Sequence, residues 1–150
     1  MSKTQDSAIL VVGDDMSFSY LMQRYVRGCG YRALVSRPSL ETLALVQQER
    51  PEAIVLEIEQ GDATGWDLLR SLKANQATQC IPVVVCSWLE YRDRCLAEGA
   101  EYHLQKPVLY EDFVAALTVA PSSAASQRID LLFGSATALL DVSVTLSSPT

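Results

Sequence analysis

Apolar runs too short for helices are separated, along most of this chain, by stretches in which apolar residues recur at spacings of three and four. Ile9 to Val12 is the first run, and it predicts a strand covered on both faces, since no polar residue interrupts it. Leu21, Met22, Tyr25 and Val26 then mark a helix, which Gly28-Cys29-Gly30-Tyr31 stops. Arg32 to Val35 predicts a second strand. Ser39 caps a helix carrying Leu43, Leu45 and Val46, which ends before Pro51. Ala53 to Ile58 is the third strand, followed by a Gly/Asp loop and a helix around Trp66, Leu68, Leu69 and Leu72. Strand four is read from Ile81 to Cys86, helix four from Glu90 to Leu96, strand five from Glu101 to Leu104 and helix five from Tyr110 to Leu117. Strand and helix alternate five times, which calls for right-handed crossovers and an α/β fold with a doubly wound parallel sheet.

From Pro121 the composition turns to Ser, Ala and Thr with few charges, so the chain divides into a domain over 1–120 and a tail over 121–150. In the tail Leu132, Phe133, Ala136, Leu139 and Leu140 fall at helical spacing around Gly134, leaving two expectations: a loose tail, or one amphipathic helix. A chain of 150 residues buries a real core without staples. Its four cysteines form no C-x-x-C pair and His103 is the only histidine, which argues against a zinc site and for structural thiols in a reducing cytosol. The N-terminus offers too few apolar residues before Asp14 for a signal-peptide core or a membrane span, so a soluble cytoplasmic protein with no membrane partner is expected. The net charge of −6 has the wrong sign for a nucleic-acid backbone, and nucleic acid is not an expected partner.

The candidate chemistry lies where the apolar runs end. Gly13-Asp14-Asp15 follows the first strand, Glu57 ends the third, Ser87 follows the fourth and Lys106-Pro107 the fifth. Parallel strands bring such ends to one edge, where an α/β sheet keeps its site. Taken singly, Ser87 is a turn residue and Lys106-Pro107 a strand stop; their joint spacing gives them weight. No G-x-G-x-x-G or Walker loop follows strand one, which leaves a small nucleotide-binding protein or enzyme as a rival without motif support.

That joint spacing resembles the receiver domain of bacterial response regulators over roughly residues 7 to 118. The resemblance implies a flavodoxin-like strand order 2-1-3-4-5, a cis peptide before Pro107 and a magnesium site beside a phosphorylated aspartate. Glu57 stands at that acceptor position, and Ser87 and Lys106 match the hydroxyl and lysine that contact the phosphoryl group. Gly13 falls on the first acidic position and Asp14 on the second, while Asp15 either caps helix one or serves the metal. Asp14, Glu57 and Glu59 are then the magnesium positions, and with one carboxylate missing the ion is expected to bind weakly. His103 occupies the place of a Tyr or Phe that swings inward when the site is occupied; it reads as a half-exposed packing residue with a pH-sensitive rotamer. Trp88 replaces a small residue, and either roofs the site or packs on helix four. Gly61 replaces the usual proline in the loop after Glu57, which predicts a mobile loop.

These readings converge on a non-enzymatic, receiver-like protein of a two-component or phosphorelay system that acts through protein contacts, without normal aspartyl phosphorylation. The extra methylene of Glu57 displaces its carboxylate, and a shift of about 1 Å can cost on the order of 10²-fold in a positioned reaction. The resemblance implies partners, a histidine kinase or an effector or a second copy, on the helix 4–strand 5–helix 5 face: Glu90, Tyr91, Tyr102, His103, Tyr110 and Phe113. The alternative within signalling is a phosphoreceiver that still accepts phosphate, or one that Glu57 keeps permanently switched on.

Overall fold

The computed structural model describes residues 7–119, so the tail from Pro121, with its candidate helix, lies outside the described residues. Five strands and five helices alternate: β1 (Ala8–Val12), α1 (Met16–Gly28), β2 (Arg32–Ser36), α2 (Leu40–Glu49), β3 (Ala53–Glu57), α3 (Ala63–Ala74), β4 (Val83–Ser87), α4 (Arg92–Ala97), β5 (Tyr102–Gln105) and α5 (Tyr110–Val119). The sheet is parallel, in the order β2-β1-β3-β4-β5, as the resemblance implied. The Lys106-Pro107 peptide is cis.

Alternating residues of the inner strands feed two cores, one on each face. Leu10, Val12, Ile54, Leu56, Val83 and Val85 pack with Val46, Leu69, Leu72 and Cys95 from α2, α3 and α4. Ile9, Val11, Val55, Val84 and Cys86 pack with Met22, Val26, Phe113 and Ala116 from α1 and α5. Both faces being covered, β1, β3 and β4 are buried at every position, which is why they read as unbroken apolar runs. A buried Ile or Leu side chain contributes about 1.5–3 kcal/mol, so the two cores hold the described residues without a disulfide.

Two elements start two residues later than expected. Strand four starts at Val83, because Pro82 has no N–H to give a neighbouring strand, although its carbonyl accepts from Ile54. Helix α4 starts at Arg92, leaving Trp88 to Tyr91 as a connection whose exposed residues are Trp88, Leu89 and Glu90. Among the described residues no helix is long and apolar enough to cross a membrane.

Candidate functional site

The carboxyl ends of β1, β3, β4 and β5 converge, and the center of the resulting cluster is Glu57. One carboxylate oxygen, Oε1, accepts the backbone N–H of Asp14 at 3.1 Å and of Asp15 at 3.2 Å, at the entry to α1. The other, Oε2, accepts from the Lys106 ammonium, which also donates to Glu59 at 2.7 Å. The Lys106 and Glu57 side chains are 4 % and 1 % exposed, so this pair is held away from water. Burial and the neighbouring Glu59 push the Glu57 carboxyl above its usual range, against Lys106 and the Asp15 amide. Its three partners all donate, however, so the contacts are satisfied by the carboxylate and not by the acid. Glu59 is lowered by its contact with Glu57 and by Lys106. Burial would lower Lys106, but the two acids outweigh it and hold the ammonium firmly charged.

Gly13 explains how the longer acid fits. A Cβ built on Gly13 would lie 2.6 Å from Glu57 Oε1, closer than any real Cβ contact, so the carboxylate occupies the volume a side chain would need. Sequence alone gave Gly13 as a missing acid; the structure adds that it makes room for Glu57. Asp15 caps α1, its Oδ1 accepting the Ser17 N–H at 2.9 Å. Asp14 has an exposed side chain.

These donors do not fit a magnesium ion, which needs several free oxygens in near-octahedral array. Gly13 brings none, both oxygens of Glu57 are committed and Glu59 is on Lys106. Among the described residues no group of three or more His, Cys, Asp or Glu is spaced to hold a metal.

Around Lys106 the walls are aromatic. Its Nζ lies 4.6 Å from the Phe18 ring center and 5.5 Å from that of Trp88, within cation–π range. Trp88 is 55 % exposed and lines, with Phe18, Leu21, Met22, Pro107 and Val108, an apolar cleft of about 180 Å³ beside the acid cluster. Trp88 thus faces Lys106 and the cleft. Phe18 was not singled out from the sequence, where it is one more apolar residue of α1.

The second half of the cluster is built by β4 and β5. Ser87 Oγ donates to the Leu89 carbonyl at 2.6 Å and lies 2.9 Å from His103 Nε2, so its hydroxyl is turned away from Glu57. His103 Nδ1 faces the Glu90 carboxylate at 3.5 Å. As a residue His103 is half-buried, as expected, but its side chain is only 2 % exposed, facing the connection after β4. Burial lowers its pKa from 6.5, Glu90 and the Leu89 backbone opposing and Arg92 assisting.

Of the expected contact face, Glu90 and Tyr110 are exposed, whereas Tyr91 packs edge-on against Trp66 and Tyr102 is half-buried. Phe113 is corrected: it is fully buried on the inner side of α5, against the Tyr25 ring of α1. Gly61 has φ +76°, a conformation that proline, fixed near −65°, cannot adopt.

A family profile described as the response regulator receiver domain matches residues 9–118. The polar-differentiation response regulator DivK of Brucella anthropi is 24 % identical over 110 residues, covering 71 % of this chain and 89 % of DivK. Among solved structures, the chemotaxis protein CheY4 of Vibrio cholerae superposes with a TM-score of 0.66 at 20 % identity, covering 75 % of this chain and 96 % of CheY4. The receiver domain of sensor histidine kinase PA1611 from Pseudomonas aeruginosa, with a magnesium ion coordinated in its active site cleft, gives a TM-score of 0.66 at 19 % identity, over 75 % and 96 % of the two chains.

Proposed function

This chain belongs to the response regulator receiver domain family of two-component signalling, and from that premise we propose that it is a receiver in which Glu57 permanently occupies the place of the chemistry. Receiver domains are signalling modules that interact with histidine kinases and effectors, and a magnesium ion sits in the cleft of at least one relative. In this chain the acceptor position is a glutamate with both oxygens engaged: two amides of the α1 entry on one, an ammonium on the other. That observation carries the proposal. A carboxylate nucleophile needs a free oxygen and a cation to bring in the phosphodonor. Here the oxygens are committed, and Lys106 supplies a cation that cannot exchange. Magnesium binding is accordingly weak, and signalling proceeds through contacts on the rim formed by Glu90, Tyr91, Tyr102 and Tyr110.

The test is incubation with acetyl phosphate and magnesium, acid quench and mass spectrometry. The unaltered protein is expected to gain no phosphate, and the double change Gly13→Asp with Glu57→Asp to gain some. Stable phosphate on Glu57 would overturn the proposal. A second reading, a permanently switched-on receiver, is favoured by the inward His103 and opposed by the Ser87 hydroxyl, which contacts His103 and Leu89. Its measure is partner affinity before and after Glu57→Gln: a several-fold loss supports it, and no change removes it.

A further inference from the structure

We propose that His103 is a proton-operated latch for the connection between β4 and α4, with Glu90 as its catch. The argument is a count of protons. The Leu89 carbonyl can only accept, so at 2.6 Å it takes the single hydroxyl proton of Ser87. Ser87 Oγ, 2.9 Å from His103 Nε2, must then accept, and Nε2 carries the ring proton. A neutral His103 therefore presents a bare Nδ1 lone pair to the Glu90 carboxylate 3.5 Å away, an arrangement without a bond. One added proton at Nδ1 turns it into an ion pair with a hydrogen bond. The site lacks only that proton.

The same count excludes a different function. Ser87, His103 and Glu90 stand in the order of a serine-nucleophile triad, but a triad needs the hydroxyl proton on the histidine side, and Ser87 is 1 % exposed. The proton runs the other way, toward Leu89. The cluster therefore acts on conformation.

Glu90 is 69 % exposed at its side chain and lies between Leu89 and Tyr91, outside the regular elements, so it is free to be drawn in or released. Charged groups acting on His103 are Glu90 in the connection and Arg92 on α4, which oppose each other; Ser87 faces it from β4. The thiol of Cys95, on α4, is pushed up to about 11 by burial and stays neutral. Helix α5 packs on the other face of β5, against Leu104. Protonation of His103 pulls Glu90 inward and shifts Trp88, two residues away in the same connection and over the Lys106 ammonium. A fall in pH is thus transmitted to the roof of the acid site and to the rim. The latch itself is independent of the Glu57 reading and rests on it only in assigning that rim to partner contact.

His103 being the sole histidine, its imidazole signals in a ¹⁵N NMR spectrum need no assignment. In the isolated protein, without phosphodonor or partner, the Nε2–H tautomer is expected at pH 7.5, with a titration midpoint matched by a step in tryptophan emission. Glu90→Gln should lower that midpoint by on the order of half a pH unit, the scale of a partly exposed ion pair, and remove the emission step. Trp88→Phe should remove the step and leave the midpoint in place. An Nδ1–H tautomer at pH 7.5, or a midpoint unmoved by Glu90→Gln, would sink the latch while leaving the Glu57 proposal intact. Phosphate on Glu57 would do the reverse.

Discussion

At the tips of β3 and β5 the buried charges are matched, Lys106 between Glu57 and Glu59, while one residue pair away, at the tips of β4 and β5, a buried ring nitrogen faces a carboxylate with no proton between them. Both corners hold a basic side chain out of water beside an acid that is partly exposed. They differ in whether the proton inventory is complete. Both carboxylate oxygens of Glu57 have donors, so its charged form needs no further proton. The His103 corner is one proton short, and burial lowers the pKa of its histidine from 6.5. On the two proposals above, the Glu57 corner stands in for the added charge of the fold and the adjustable group lies one strand over, at His103.

The sharpest way to break this contrast is to remove Lys106. Lys106→Met leaves two acids, one of them buried, without their counter-ion, and should lower stability by on the order of 3–5 kcal/mol in urea unfolding at pH 7.5. Because the Glu57 carboxyl is raised, the deficit should narrow as pH falls and the acid protonates. A deficit below about 1 kcal/mol would mean the corner is solvated like a surface ion pair.

Next in size is Gly13. Gly13→Ala alone should cost about 1–3 kcal/mol, because its Cβ would meet Glu57 Oε1 at 2.6 Å. Glu57→Asp withdraws the carboxylate by a methylene, so in the double variant the alanine should be tolerated, with a coupling of about 0.5–3 kcal/mol in a double-mutant cycle. Additive losses would show that the two positions do not share that space.

The smallest effect sharpens the other corner. The His103 pKa is lowered in the folded protein, so the folded state prefers the neutral ring. Its contribution to stability is fully present above 6.5 and is lost as pH falls through the folded-state value. Unfolding measured from pH 8 to 5 should lose stability below 6.5 in the unaltered protein and less in His103→Phe. Glu57 is raised from 4.5 and so titrates toward the same window, and the comparison with His103→Phe is what isolates the share of the ring.

The alternation of elements was legible because β1, β3 and β4 are buried on both faces, which writes burial directly into the sequence as apolar runs. The strand order was not; it came from resemblance, since periodicity says nothing about which strands pair. The site was legible as a set of positions and illegible as a set of contacts. Gly13 and Glu57 were each seen to depart from the pattern, but their sharing of one volume depends on β1 and β3 lying side by side, 44 residues apart in sequence. Their joint departure was the available signal. His103 looked half-exposed because β5 is an edge strand, and only the placement of Leu89 and Glu90 shows that its side chain is covered. Phe113 was read onto the surface because an aromatic beside Tyr110 and Glu111 on a short helix does not announce which way it faces.

The space shared by residues 13 and 57 also constrains how sequences can drift from this one. Gly13→Asp by itself pushes a side chain into an occupied volume, and Glu57→Asp by itself strands two amides of the α1 entry and supplies one acid where a metal needs more. Each single step is worse than either end of the walk. If the proposed loss of phosphorylation holds, a phosphorylatable site requires the two substitutions together, and the missing Cβ of Gly13 works as a ratchet: with Glu57 grown into the gap, single steps do not reopen it.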